Sequence, residues 1–368
     1  MKSHALRHVL THLITPLLMC VGMGLAYMGA FVTPQPNHLP VAVVGSAPEA
    51  KVLAQSVKDA AGDAVDVRTV PSRADAVDLL RAREITGAYV PGGETPEVVV
   101  ATAASDMGAM AAEKVFAPVA EHQGAPLKVT DVATPVDDDP TGQGLFFLLI
   151  AISIGSYASV AALGAAGGAL PMRVRALLTL GVSVVVSGIG ALLAGPVFRL
   201  AHHDLAGVWG MAWLYAAGIL FVGVGLHTFL KRWTTLAMMV LFVMLNFTSS
   251  GGLFRPELQN GFFGALHAFW NGAGFVEGAR ALLYFDGDGL GRNVGTLVAW
   301  LLLGLAVTAL AALRERHGTP PVPAPGQPKH ARPDGRGSAA PAPEAGPGGD
   351  RGGRGDGGDR RRLIIGVM

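Results

Sequence analysis

The apolar residues of this chain gather into six long runs, one near the start and five in the second half. The runs cover residues 10–31, 145–165, 176–198, 210–230, 234–251 and 294–313. A helix needs about 20 apolar residues to cross a hydrocarbon core roughly 30 Å thick. Lipid offers no partner to an unpaired backbone amide, so runs of this length predict helices rather than strands or loops. The pattern predicts an α-helical polytopic membrane protein with six transmembrane helices in a one-plus-five layout.

The long interval after the first run, residues 33–141, has a different rhythm. Short apolar runs at 39–44, 65–70, 85–90 and 98–101 predict strands, and amphipathic stretches at 48–61, 72–84 and 106–122 predict helices. Their alternation predicts a folded α/β domain inserted after the first helix. Ser72 and Asp106 stand where N-caps belong, and Asp75, three residues past Ser72, suggests a capping box. The interval carries about twice as many acids as bases and ends on Asp137-Asp138-Asp139. A solvated acidic face explains this, with a site for cationic ligands as the sharper alternative.

Charge then orients the spans. Basic residues cluster before the first run (Lys2, Arg7), between the second and third (Arg173, Arg175), between the fourth and fifth (Lys231, Arg232) and after the sixth (Arg314, Arg316). The excess of Lys and Arg on cytoplasmic loops places those four stretches, including N-terminal residues 1–9, inside the cell. Residues 33–141, the 199–209 loop and residues 252–293 then face outward.

The interval at 252–293 is too apolar for a solvated loop. Leu258, Phe262, Phe263, Leu266 and Phe269 recur at helical spacing after Pro256, a favoured first-turn residue. Gly272 and Gly274 break that pattern, and a second short helix is expected at about residues 275–284. Neither helix is long enough to span, so the pair predicts an outer interfacial or re-entrant helical hairpin. Glu277 and Arg280, three apart on the second helix, are placed to pair. The functional reading is an outer gate or lip formed by Phe254, Pro256, Phe262, Phe263, His267, Trp270, Glu277 and Arg280. A cap that only shields the bundle is the competing one.

Composition narrows the chemistry. Half the residues (51%) are hydrophobic and 15% are charged. The single cysteine, Cys20, excludes an internal disulfide and a cysteine-based metal site. The first run holds Gly24 and Ala26 at spacing that suits signal cleavage, but its length favours a retained anchor. No phosphate-binding glycine loop, zinc-protease helix or nucleophile elbow is present. Asp286-Gly287-Asp288-Gly289 begins like a calcium loop, but Leu290 takes the next ligand position, so a polar turn is expected. No cofactor, metal or catalytic residue is assigned, and no nucleic-acid contact. None of the six runs carries Asp, Glu, Lys or Arg near its centre, where coupling-ion transporters keep ionisable groups. Asn246 is expected to bond a neighbouring helix. From residue 318 to 368 the chain turns rich in Pro, Gly, Ala and Arg, a composition that predicts a disordered cytoplasmic tail in which Arg360-Arg361-Arg362 could touch anionic lipid.

Three stretches carry a family resemblance: Ser250-Gly251-Gly252-Leu253-Phe254-Arg255-Pro256-Glu257-Leu258, Phe262-Phe263-Gly264-Ala265-Leu266-His267, and Gly278-Ala279-Arg280-Ala281-Leu282-Leu283-Tyr284-Phe285. With the one-plus-five layout and the outer domain, they make the chain resemble ABC-2-type transporter permeases, of the actinobacterial branch related to the YhgE/phage infection protein family. The resemblance covers the six runs and the outer domain but not the tail. It implies an export permease for hydrophobic or amphipathic molecules in the cytoplasmic membrane. Such a permease works as a homodimer or paired permease, surrounded by membrane lipid and energised by a separate ATP-binding cassette subunit. The positions matching the family's ATPase contact are Pro171, Arg173 and Arg175. A non-transporting scaffold or sensor, whose outer domain binds envelope material or a partner protein, is the alternative.

Overall fold

The computed structural model describes residues 2–92 and 95–318; the predicted tail from residue 319 onward, with Arg360–Arg362, lies outside the described residues. The fold is mostly helical, with one small sheet. Five stretches are long and apolar enough to cross a membrane: Leu13–Phe31, Gly144–Ala166, Met172–Val197, Leu205–Ser249 and Leu290–His317.

The fourth of these, 45 residues long, is not one rod. Helix α7 (Leu205–Leu230) ends at Lys231, which adopts φ 49, a left-handed conformation that turns the chain. It continues as α8 (Thr234–Met239), a π-helical turn (Val240–Met244) and α9 (Leu245–Ser249). Gly223 meets Met238 and Tyr215 meets Asn246, so α8–α9 run back antiparallel along α7. Hydropathy joins the two segments, and backbone geometry separates them.

Helix α7 is the axis of the bundle, buried without interruption from Tyr215 to Gly225. Around it stand α5 (Gly144–Ala166), α6 (Met172–Leu192) and α12 (Leu290–Gly318), with α1 (Lys2–Phe31) on the periphery against α8–α9. Large apolar side chains on α1, α5, α6 and α12 point outward, as lipid-facing surfaces require. The α7–α12 seam is the tightest. A Cβ on Gly225 would lie 2.7 Å from the Thr308 amide nitrogen, and one on Gly304 would lie 2.9 Å from that of Val222. Thr308 Oγ1 donates to the Phe221 carbonyl at 2.9 Å across this seam. Small residues let the backbones meet, and in lipid such close packing replaces the hydrophobic effect as the driving force.

The α/β unit has five strands, β1 (Leu39–Val44), β2 (Val65–Val70), β3 (Gly87–Val90), β4 (Glu97–Val100) and β5 (Lys128–Asp131), in the order β2-β1-β3-β4-β5. All neighbours pair parallel except β3 and β4. Helices α2 (Pro48–Ala61) and α4 (Asp106–His122) cover one face, where Val57 and Phe116 pack on Val41, Val43 and Tyr89. Helix α3 (Arg73–Arg81) covers the other, setting Ala76 and Leu80 against Ala42 and Val44. The sheet is buried on both faces, which is why β1 reads as a continuous apolar run. Ser72 caps α3, its Oγ accepting from the Asp75 amide at 3.2 Å, as expected. On α4 the cap is Ser105, accepting from Gly108, rather than the expected Asp106. Strand β5 was not predicted, because it is an edge strand with little apolar content. Of the three successive aspartates, Asp139 caps α5, its carboxylate accepting from Gln143 and Gly144 at 3.1 and 2.8 Å. Among the described residues no group of His, Cys, Asp or Glu is arranged to hold a metal ion.

Between α9 and α12 the chain forms a 3-10 turn (Pro256–Leu258), then α10 (Gly261–His267) and α11 (Asn271–Tyr284). The expected continuous helix after Pro256 is broken at Gln259, and Asn260 caps α10 by accepting from Phe262 and Phe263. The expected break between two short helices falls at residues 268–270 rather than at Gly272 and Gly274, which both lie inside α11. Gly272 abuts Asn246 and Gly274 abuts Asn293 and Thr296 of α12, so the missing side chains permit approach instead of ending the helix.

Candidate functional site

The α10–α11 hairpin dips into the bundle. At its turn, Trp270 Nε1 donates to the Leu241 carbonyl at 3.2 Å and Trp300 Nε1 donates to the Phe269 carbonyl at 2.9 Å. Trp300 is ten residues into α12, and Tyr215, whose ring stacks on Phe275 of α11, is ten residues into α7. At 1.5 Å per residue the turn therefore sits about 15 Å below the domain-side ends of those helices. The carbonyl that receives Trp270 belongs to the π-helical turn, where the widened backbone departs from the regular ladder. Almost every residue of α11 from Asn271 to Ala281 is buried.

A polar network receives the start of α11. Asn246 Oδ1 accepts from the Gly272 amide at 2.7 Å, and its Nδ2 donates to the Tyr215 hydroxyl, which also bonds Ser153 Oγ. Asn271 Nδ2 donates to the Tyr215 carbonyl at 3.4 Å. Asn246 thus bonds neighbouring helices, as its sequence context suggests. It satisfies an orphan amide that a helix starting inside a bundle cannot otherwise pair.

Two turns further up lies a knot of charge. Glu277 takes Arg280 on one carboxylate oxygen and Arg83 on the other, the latter at 3.0 Å. The expected Glu277–Arg280 pair is present, but Arg83 comes from the α/β unit. Arg83 also donates to the Glu277 carbonyl at 3.2 Å and to the Asp288 carbonyl at 2.6 Å, and it lies over the Phe285 ring. Its backbone is left-handed, φ 58, just past the end of α3. Arg280 reaches the Gly251 carbonyl, and His267 Nδ1 lies 3.0 Å from the Ser249 carbonyl. Arg255 faces Glu257 at 3.4 Å beside them. Burial alone would raise the Glu277 carboxyl, but the surrounding Arg280, Arg255 and Arg83 guanidiniums hold it well below the usual carboxylate range. Burial, reinforced by Arg255, pushes His267 down.

These two shifts separate in pH. Glu277, depressed, keeps its contribution above the unfolded carboxylate pKa and loses it only in strong acid. His267, also depressed, stays neutral in the fold while the unfolded chain takes up a proton as pH falls below about 6.5. Stability is therefore lost on acidification from neutral pH, by up to about 1.4 kcal/mol per pH unit. His267→Asn is expected to flatten the fall in thermal midpoint between about pH 7 and about pH 5.5. An unchanged slope in the variant would remove His267 from that role.

The other expected lip residues scatter. Phe254 packs on the core of the α/β unit and on Phe31 of α1, with Leu258 beside it in that core. Pro256 begins the 3-10 turn against Gly264. Phe263 is buried near Gly29 of α1, while Phe262 is exposed. Trp270 anchors the turn. Only His267, Glu277 and Arg280 meet, joined by Arg83, Arg255 and Glu257, which sequence reasoning did not select. Arg255 and Glu257 flank Pro256 and offered a weak signal; Arg83 offered none, because its role depends on how the α/β unit docks.

At the opposite end, Pro171 caps α6 and both it and Arg173 are exposed. Arg175 is buried and paired with Glu315 of α12, which also accepts from Thr228 of α7 at 3.2 Å. Its side chain ties α6, α7 and α12 together and is buried, whereas that of Arg173 is exposed. The Asp286–Gly289 stretch is a tight turn with three left-handed residues, as expected. Searches of protein-family models, curated proteins and solved structures return no match to this chain.

Proposed function

We propose that this chain is the permease subunit of an ABC-2-type exporter that moves hydrophobic or amphipathic molecules out of the cell, energised by a separate ATPase and without catalysis of its own. The observation that carries the reading is the α10–α11 hairpin. It is a short helix pair on the domain side whose second helix is buried beside the axial helix and pinned to the α/β unit through Arg83 and Glu277. Such an element is placed to open or close a path when the domain shifts. In this reading the chain spans the cytoplasmic membrane six times, with α7 and α8–α9 as separate crossings, and α1 stays as an anchor through Asn260 and the Gly29 carbonyl. The α/β unit stands outside and the termini inside, as the basic turns favour.

On the inner side, a cavity of about 370 Å³ opens between α5 and the α7–α8 turn. Tyr157, Val160 and Met238 give it apolar walls, and Lys231 and Arg232 give it a basic rim, suiting an amphipathic cargo. The exposed Pro171–Arg173 turn is the surface left for an ATPase, and the chain would pair with a second permease. The scaffold or sensor reading is favoured by the same Arg83–Glu277 link, which would carry a binding event in the outer domain to α11. Deleting residues 36–140 distinguishes the two: residual efflux marks a permease, and complete loss marks a sensor.

A further inference from the structure

The charged knot is open on one side. Arg83, Arg255, His267, Glu277 and the first turn of α12 enclose a cavity of about 210 Å³. Its lining presents Arg83, Arg255 and Arg292 beside Glu277; with Arg280 behind Glu277 and Glu257 facing Arg255, four guanidinium groups meet two carboxylates. Glu277 is already committed to Arg280 and Arg83. Arg255 donates no hydrogen bond among the described residues: its buried Nε is 3.4 Å from Glu257 Oε2, outside hydrogen-bond geometry. Arg292 is exposed and forms no ion pair among the described residues.

Arg255 has Glu257 as an ion-pair partner but no well-formed hydrogen bond at its buried Nε, and a guanidinium's planar fork matches paired oxygens on a tetrahedral anion. Arg83 closes α3 at a left-handed φ of 58, its amide and that of Glu84 returning to the Leu80 and Leu79 carbonyls, and from this turn its side chain lines the cavity. We infer that this cavity binds a phosphate group, whose double negative charge balances the guanidinium excess. The donors come from the α/β unit, the 3-10 segment and α12, so a bound phosphate clamps the unit to the bundle. The site does not depend on the chain being a permease. The phosphate can belong to a free anion or to a lipid headgroup, since the first turn of α12 lies at the end of a membrane-crossing helix.

The test uses the full chain in nanodiscs, with thermal unfolding midpoint and native mass spectrometry as readouts. One arm adds inorganic phosphate to discs of zwitterionic lipid at ionic strength matched with KCl; the other incorporates phosphatidic acid. A higher midpoint with phosphate alone supports a free anion, and retention of phosphatidic acid without a response to phosphate supports a headgroup. Either effect should weaken about tenfold in Arg255→Gln and in Arg292→Gln. Arg292 is exposed, so its variant keeps the fold if Arg255→Gln does not. No response in either arm, or an equal response in wild type and Arg292→Gln, overturns the assignment.

Discussion

Glu277→Gln should destabilise the folded chain by about 3–5 kcal/mol in equilibrium unfolding from detergent, the cost of removing one partner from a buried ion cluster. The substitution keeps the shape of the side chain but leaves Arg280 and Arg83 without their shared counter-charge. Both are buried, with side chains 4% and 8% exposed, so solvent cannot replace the lost carboxylate. Part of the loss should be recovered when Arg83→Met is added, because the double variant no longer strands the guanidinium from the α/β unit. A single-variant effect below about 1 kcal/mol would mean that the cluster is solvated like a surface pair.

The second large effect is expected at Gly225. A valine there would drive its Cβ into the backbone of Thr308 and Val307, which cannot rotate away as a side chain can. The α7–α12 seam would have to part, breaking the bond from Thr308 to the Phe221 carbonyl. Overpacking of this kind costs about 1–3 kcal/mol, and the backbone contact puts it near the upper figure. Gly188→Val is the control, since a Cβ at Gly188 meets nothing within 4 Å. Equal midpoints for the two variants would show that the seam is looser than its geometry indicates.

These two positions also mark where the sequence could and could not be read. Helical runs in lipid and strands buried on both faces carry their own signal, so β1, β2 and α2 stand where expected, while α1, α7 and α12 extend beyond the apolar runs that predict them. Glycine was harder. In α11 it looked like a breaker, because the rule comes from water, where a glycine loses conformational freedom and gains no contact. Inside a bundle the close approach to Asn246 and Asn293 reverses the sign. The charge cluster was half legible for a related reason. Glu277 and Arg280 are neighbours on one helix, so spacing alone pairs them. Arg83 lies 194 positions away in the chain, and only the docking of the α/β unit brings it to Glu277. Arg175 differs in the opposite direction: a basic residue in a short turn between apolar runs reads as exposed, and its burial depends on Glu315, 140 positions away on α12.

For the proposed permease, the uncharged centres of the apolar runs argue for an energy source outside the chain, and the buried Glu277 does not alter this, since its arginine partners favour its ionised form. The most direct test is uptake of an amphipathic fluorescent dye into inverted membrane vesicles containing the full chain and its native cytoplasmic partners. Uptake that requires ATP and persists when a protonophore collapses the proton gradient is the expected result. Uptake by the purified chain on a proton gradient alone, without ATP, would contradict it.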